Sequence, residues 1–475
     1  MTATSPIPQQ HIDCSCRLPL FALFGGAAVW LALSSVFGLV ASLKFHAPAM
    51  FANCACLSYG RAFPASQLLL VYGFCIPAGL GVGLWLLARL GRVELAKPFL
   101  ITLGAKLWHL GVLTGFIAIL AGENTGHEWL EMPRYASVIL FLGFLLMAVW
   151  AFVTHTRRSE PALYPSQWFI LAALFWFPWI FSSATLLLQC FPVRGMTQAA
   201  VAWWFAGNLL NVWLPLVGLA ATFYFLPKLA ERPLQSHYLA LFVFLTLIVA
   251  GTSTGIPAGA ALPAWMPALS GGAKLLMLVP ALALAAVVVL TLRGSTAPCG
   301  GGPLCFTKFG AWSLVIATVL LALTACPAIS RVTDFTWFSH GRNALVLYGF
   351  FAMTMFAAMY FILPRLAGEG SVCPHRVRAQ FWLSMLGTLL FAFSLVIGGV
   401  LQGLKLVNPA IPFLDVAKSS LMPFRISTLG EALLLVGNLL FLFNVGFALA
   451  TYYRARCRRV FTDATATLEP AGVKS

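Results

Sequence analysis

Few residues of this chain carry groups able to bind a metal, move a proton or attack a bond. Histidine comes first, because a buried imidazole is the side chain that redox metals favour. There are eight. His11, His46, His155, His237 and His375 fall in connections or at the edges of apolar segments, His127 in the third connection, and His340 just before the tenth segment. Only His109 sits mid-segment, in the third. A lone buried histidine is more often a hydrogen-bonded packing residue than a ligand. The other ionisable groups inside apolar segments are Lys106, Lys274 and Glu431. Each costs several kcal/mol in hydrocarbon unless it is paired or near an interface. All three lie within about two turns of a segment end, so snorkelling accounts for them. Asn208, Asn211, Asn438 and Asn444 are suited to hydrogen bonding between helices.

The most polar connection is the third, Gly122 to Tyr135, which places Glu123, Glu128 and Glu131 on the outer face. Such a cluster suits a cation or the basic surface of a partner. The C-x-C pairs Cys14-Ser15-Cys16 and Cys54-Ala55-Cys56 lack the second ligand pair that a metal site needs. Cys75, Cys190 and Cys326 sit in or beside apolar segments, where cysteine acts as a small hydrophobe. Walker, Rossmann and nucleophile-elbow patterns are absent.

The elements that must hold these residues follow from composition. Of 475 residues, 60% are hydrophobic and only 9% charged, against about 25% charged in a soluble domain. That excludes both a soluble globule and a disordered chain. Segments of roughly 20 apolar residues are membrane-spanning helices. Twelve are expected, at about 18–43, 65–88, 99–121, 136–153, 167–190, 199–226, 238–257, 273–292, 309–326, 344–364, 381–403 and 429–453. The division is a short N-terminal segment 1–17, an all-α transmembrane domain 18–453 and a basic tail 454–475. Lys and Arg favour the N-terminus, the even-numbered connections and the tail by about two to one, which puts both termini in the cytoplasm. The net charge of +16 is therefore mostly topogenic, and no nucleic acid is needed to explain it. Arg454, Arg456, Arg458 and Arg459 are placed to meet anionic lipid headgroups.

Five stretches then carry a resemblance. They are Leu57-Ser58-Tyr59-Gly60-Arg61-Ala62-Phe63-Pro64, the connection Gly122 to Tyr135, Trp203-Trp204-Phe205-Ala206-Gly207-Asn208, Phe223-Tyr224-Phe225-Leu226-Pro227-Lys228, and Tyr348-Gly349-Phe350-Phe351 through Tyr360-Phe361-Ile362-Leu363-Pro364-Arg365-Leu366. In order and spacing, over roughly residues 15–455, the chain resembles subunit I of the heme–copper oxygen reductases, nearest the C-family or cbb-type cytochrome c oxidases. The resemblance implies a twelve-helix bundle, two hemes, one copper and six histidine ligands.

Carried over by position, those ligands are not histidines. The span-two heme ligand falls at Ser66, and the first copper ligand at Gly207. The adjacent copper pair falls at Ser253 and Thr254, and the tyrosine that the family places one turn earlier falls near Leu247. Counting back from Tyr348, the two span-ten heme ligands fall at Arg342 and Ala344; counting forward from Thr333, His340 takes one of them instead. Serine, glycine, threonine and alanine do not replace imidazole, and arginine repels a metal cation.

The expectation is a subunit I-like protein of a bacterial inner membrane that does not reduce oxygen itself. It would bind no heme, or at most one on His340, and no copper. Its role would be structural or in assembly, within the lipid bilayer and alongside other respiratory subunits such as a membrane-anchored cytochrome c. Two rivals are a genuine oxidase with atypical heme ligation and a transporter or channel through the vacated cavity. The transport route would be lined by Ser66, Asn208, Asn211, Ser253 and Thr254, and would be lost if Phe and Leu refilled it.

Overall fold

The computed structural model describes residues 8–468. Those residues form helices and no strands. The principal helices are α1 Gln9–Leu43, α2 Tyr59–Gly91, α3 Pro98–Ala121, α4 Arg134–Thr156, α5 Pro165–Cys190, α6 Met196–Leu229, α7 His237–Gly251, α8 Trp265–Leu292, α9 Pro303–Leu323, α10 Trp337–Ala367, α11 Pro374–Leu406 and α12 Phe413–Leu468. Eleven are long and apolar enough to cross a membrane.

The twelve expected spans correspond one to one with these helices, with one correction. The seventh, α7, has only 15 residues. At 1.5 Å per residue it reaches about 22 Å, short of the roughly 30 Å hydrocarbon core. It stops where Thr252-Ser253-Thr254-Gly255 leaves the helix. Gly251 packs on α6 there, and a Cβ on it would lie 2.8 Å from Val212 Cγ2. Several other helices overrun their expected ends. The basic tail is not a separate segment: α12 continues through Arg454–Arg459 to Leu468.

Helices α2, α6 and α10 form the centre of the bundle, with nearly every side chain buried, whereas about half of each outer helix faces outward. Each central helix widens into a π-helical stretch, at Leu69–Cys75, Leu209–Trp213 and Leu345–Ala352. In two of them the sequence supplies the cause. Pro77 and Pro215 have no N–H for the carbonyls of Gly73 and Asn211, so the regular ladder breaks one turn earlier. Such widened turns gather at functional sites, and here they follow the positions 66, 207 and 342–344.

Interior polar groups pin the helices together. Asn438 donates to Ser35 Oγ at 2.7 Å and Asn444 to Tyr360 Oη at 2.9 Å. Asn208 accepts from Trp176 Nε1 at 3.2 Å and donates to the carbonyls of Trp204 and Thr252. It thereby joins α5, α6 and the turn after α7.

Candidate functional site

Two cavities lie against the central helices. The inner cavity, of about 80 Å³, is bounded by α1, α2, α10, α11 and α12. Ser66 and Ala344 both line it, together with Gln67, Tyr348 and Glu431. The outer chamber, of about 480 Å³, lies between α6, the segment after α7, α8 and the start of α10. Gly207, Asn211, Thr254, Lys274 and Arg342 line it. Trp129, Trp337, His340 and Asn343 face both and form the wall between them.

Ala344 faces the same cavity as Ser66, Arg342 faces the same chamber as Gly207 and Thr254, and His340 lines both. His340 is one turn earlier, in the dividing wall.

The donors at these positions are already committed. Ser66 Oγ donates to the carbonyl of Phe63 at 2.7 Å, and Ala344 offers only a methyl group. Thr254 Oγ1 donates to Gly251 O at 2.8 Å and accepts from Asn211 Nδ2 at 2.9 Å. That fixes the Asn211 amide so that its Oδ1 accepts from Arg342 Nη1 at 2.9 Å. Arg342 Nη2 donates to Asn343 Oδ1. Gly207 is pressed on the backbone of Gly255, and a Cβ there would lie 2.6 Å from Gly255 Cα. Ser253, expected beside Thr254, does not line the chamber, because the turn after α7 presents only one of the pair.

His340 is the one histidine lining either cavity. Its ring packs on Trp337 at 4.9 Å and Phe63 at 5.5 Å between centroids, and it makes no hydrogen bond among the described residues. Two hemes and a copper need six imidazoles, and this donor set supplies one. The residues present do not fit that cofactor set. No group of three or more His, Cys, Asp or Glu side chains is placed to hold a metal ion among the described residues.

The remaining sites separate cleanly. His109 accepts from Trp30 Nε1 at 3.1 Å through Nδ1 and donates to Ala22 O at 3.1 Å through Nε2, so it is a packing residue between α1 and α3. Lys106 is exposed on the outside of α3. Lys274 and Glu431 do not snorkel: Lys274 is 5% exposed and turned into the outer chamber, and Glu431 faces the inner cavity with Oε2 buried and unpartnered. Distance from a helix end misled here, because the facing direction was inward.

The acidic connection also needs correction. Glu123, which accepts from Tyr135 Oη at 2.6 Å, and Glu128 are exposed, but Glu131 is 3% exposed. Its Oε1 accepts from the Trp129 amide at 2.8 Å, where Trp129 turns through a positive φ of 66°. Tyr72 Oη donates to the Trp129 carbonyl at 2.7 Å and holds the turn down. Burial pushes the Glu131 carboxyl up to about 8. Sequence reasoning missed Asn343 and Asp334. Both sit in the polar run that opens α10, which was the available signal.

Fold and site together define a polytopic helical membrane protein built around two cavities at the core of its bundle. The profile described as cytochrome c and quinol oxidase polypeptide I matches residues 19–433, and the chain belongs to that family. It is 24% identical to the cbb3-type cytochrome c oxidase subunit CcoN1 of Stutzerimonas stutzeri, covering 88% of this chain and 91% of that one. It is 25% identical to a bacteroid cytochrome c oxidase subunit 1 homolog of Bradyrhizobium diazoefficiens, covering 89% and 80%. A heme–copper terminal oxidase dimer solved by cryo-electron microscopy shares the fold, with TM-score 0.68 at 15% identity over 91% of this chain and 84% of that chain.

Proposed function

We propose that this protein is a subunit I-like component of a bacterial inner membrane that does not itself reduce oxygen, and that it serves a structural or assembly role beside other respiratory subunits such as a membrane-anchored cytochrome c. One observation carries the reading: a single imidazole, His340, faces the two cavities where six would be needed. The two hemes and copper of this family take imidazole donors, and heme iron otherwise takes a thiolate, thioether or phenolate. A hydroxyl bonded to its own helix, a methyl, a glycine and a guanidinium supply none.

The test is heme and copper analysis of the purified protein, with oxygen uptake measured on the same sample. The expected result is no copper, at most one heme per chain and no turnover. Two hemes and one copper per chain, or oxygen consumption by this chain alone, refute the proposal. A second reading is favoured by the unbonded ring of His340: one five-coordinate heme held there. His340→Ala distinguishes it, since any Soret band of the wild type must then vanish.

A further inference from the structure

The outer chamber is polar and open where refilling by Phe and Leu would have closed it. Two of its cations make no ion pair, and feel the chamber's acids only from a distance, Asp334 for Lys274 and Glu128 for Arg342. Arg342 is 9% exposed and Lys274 5% exposed. Neither lies within 4.0 Å of a carboxylate among the described residues, where the ion pairs are His11–Glu94, Arg89–Asp13 and Arg92–Glu160. Lys274 feels the opposite charge of Asp334 first and the like charge of Arg342 less, and both cations face the same space. Two like charges buried together are costly unless something compensates them.

The chamber's own acids are Asp334 and Glu128. Asp334 interacts with Lys274 from a distance, and its Oδ2 accepts from the Ala258 amide at 3.2 Å. Glu128 is exposed in the α3–α4 connection. Neither makes contact with the guanidinium. Arg342 has five N–H groups, and the two amide oxygens of Asn211 and Asn343 take one each. The rest of the fork is free, held in orientation by Asn211, which Thr254 holds in turn.

We propose that the outer chamber binds a small planar oxyanion, of the carboxylate or nitrate class, between Arg342 and Lys274. The planar fork matches two oxygens of such an anion, and the ammonium adds a point charge from the side. The inference rests on the chamber holding no heme or copper, and metal analysis of the same preparation separates a failure of that premise from a failure of this one.

The experiment is a sodium formate titration of the detergent-solubilised full chain, followed by thermal unfolding at fixed buffer. The wild type is compared with Arg342→Gln, Lys274→Gln and Lys106→Gln, the last removing an exposed cation outside the chamber. Formate should stabilise the wild type and Lys106→Gln alike. Loss of one charged hydrogen bond should weaken the apparent affinity about tenfold or more in Arg342→Gln and Lys274→Gln. If Arg342→Gln does not fold, Lys274→Gln carries the comparison. No formate response in metal-free wild type, or an equal response in all the proteins, overturns the proposal.

Discussion

Placing histidines at Ser66 and Ala344 together should restore heme binding to the inner cavity. The two positions lie on different helices, α2 and α10, and line one cavity of about 80 Å³, so a porphyrin enters only by pushing neighbouring side chains aside. The polar cost is small. Ser66 gives up one hydrogen bond to Phe63 O, worth about 0.5–1.5 kcal/mol, and Ala344 gives up no polar contact. A ligand present at 100 times its dissociation constant adds about 2.7 kcal/mol, so the loaded double variant should be about 2.7 kcal/mol more stable than its unloaded form and about 1–2 kcal/mol more stable than wild type. The assay is expression with added heme, an absorption spectrum for a low-spin bis-histidine signature, and a thermal unfolding curve. Each single variant should lack that signature. A well-folded double variant with no heme refutes the claim that this cavity has kept its shape and lost only its ligands.

Three further outcomes follow from specific contacts. Gly207→His should fail to recover copper even with histidine at Ser253 and Thr254, because the new Cβ meets Gly255 backbone; overpacking of this kind costs about 1–3 kcal/mol, read as a lower unfolding temperature. Asn211→Leu should destabilise the protein by about 1–3 kcal/mol, since Arg342 loses a buried partner, and Lys106→Gln should change nothing on the same scale. Glu131 holds its proton up to about pH 8 when folded but releases it near 4.5 when unfolded. The folded state therefore binds more protons between those values, and this group's contribution to stability falls as pH rises through that window. Glu131→Gln should remove that part of the slope, and an unchanged slope in the variant refutes it.

Much of the bundle was legible because lipid imposes one rule, a long apolar run for each crossing. That rule failed at α7, where a Gly- and Thr-rich end reads as apolar enough to continue but breaks the helix to form the chamber wall. It also said nothing about facing direction. Lys106 and Lys274 look alike in the sequence, yet one is exposed on α3 and the other is buried in the outer chamber. Glu131 shows the same limit in a connection: three glutamates within nine positions look like one surface, and a backbone amide at Trp129 turns one of them inward. The cavity positions were legible for another reason. Their spacing from the aromatic stretches is fixed by helix geometry, so counting from Tyr348 reached Ala344, which shares a cavity with Ser66, and Arg342, which lines the outer chamber.

The two cavities oppose a metal centre in different ways. At Ser66 and Ala344 the side chains are small and line a cavity of about 80 Å³. At Gly207 the backbone of the turn after α7 is in close contact, and Thr254, Asn211 and Arg342 form one hydrogen-bonded chain. Side-chain loss leaves packing unchanged elsewhere, whereas a backbone contact must be undone along a whole segment. The outer chamber would have to free Gly207 from Gly255 and turn Arg342 away before any metal could enter.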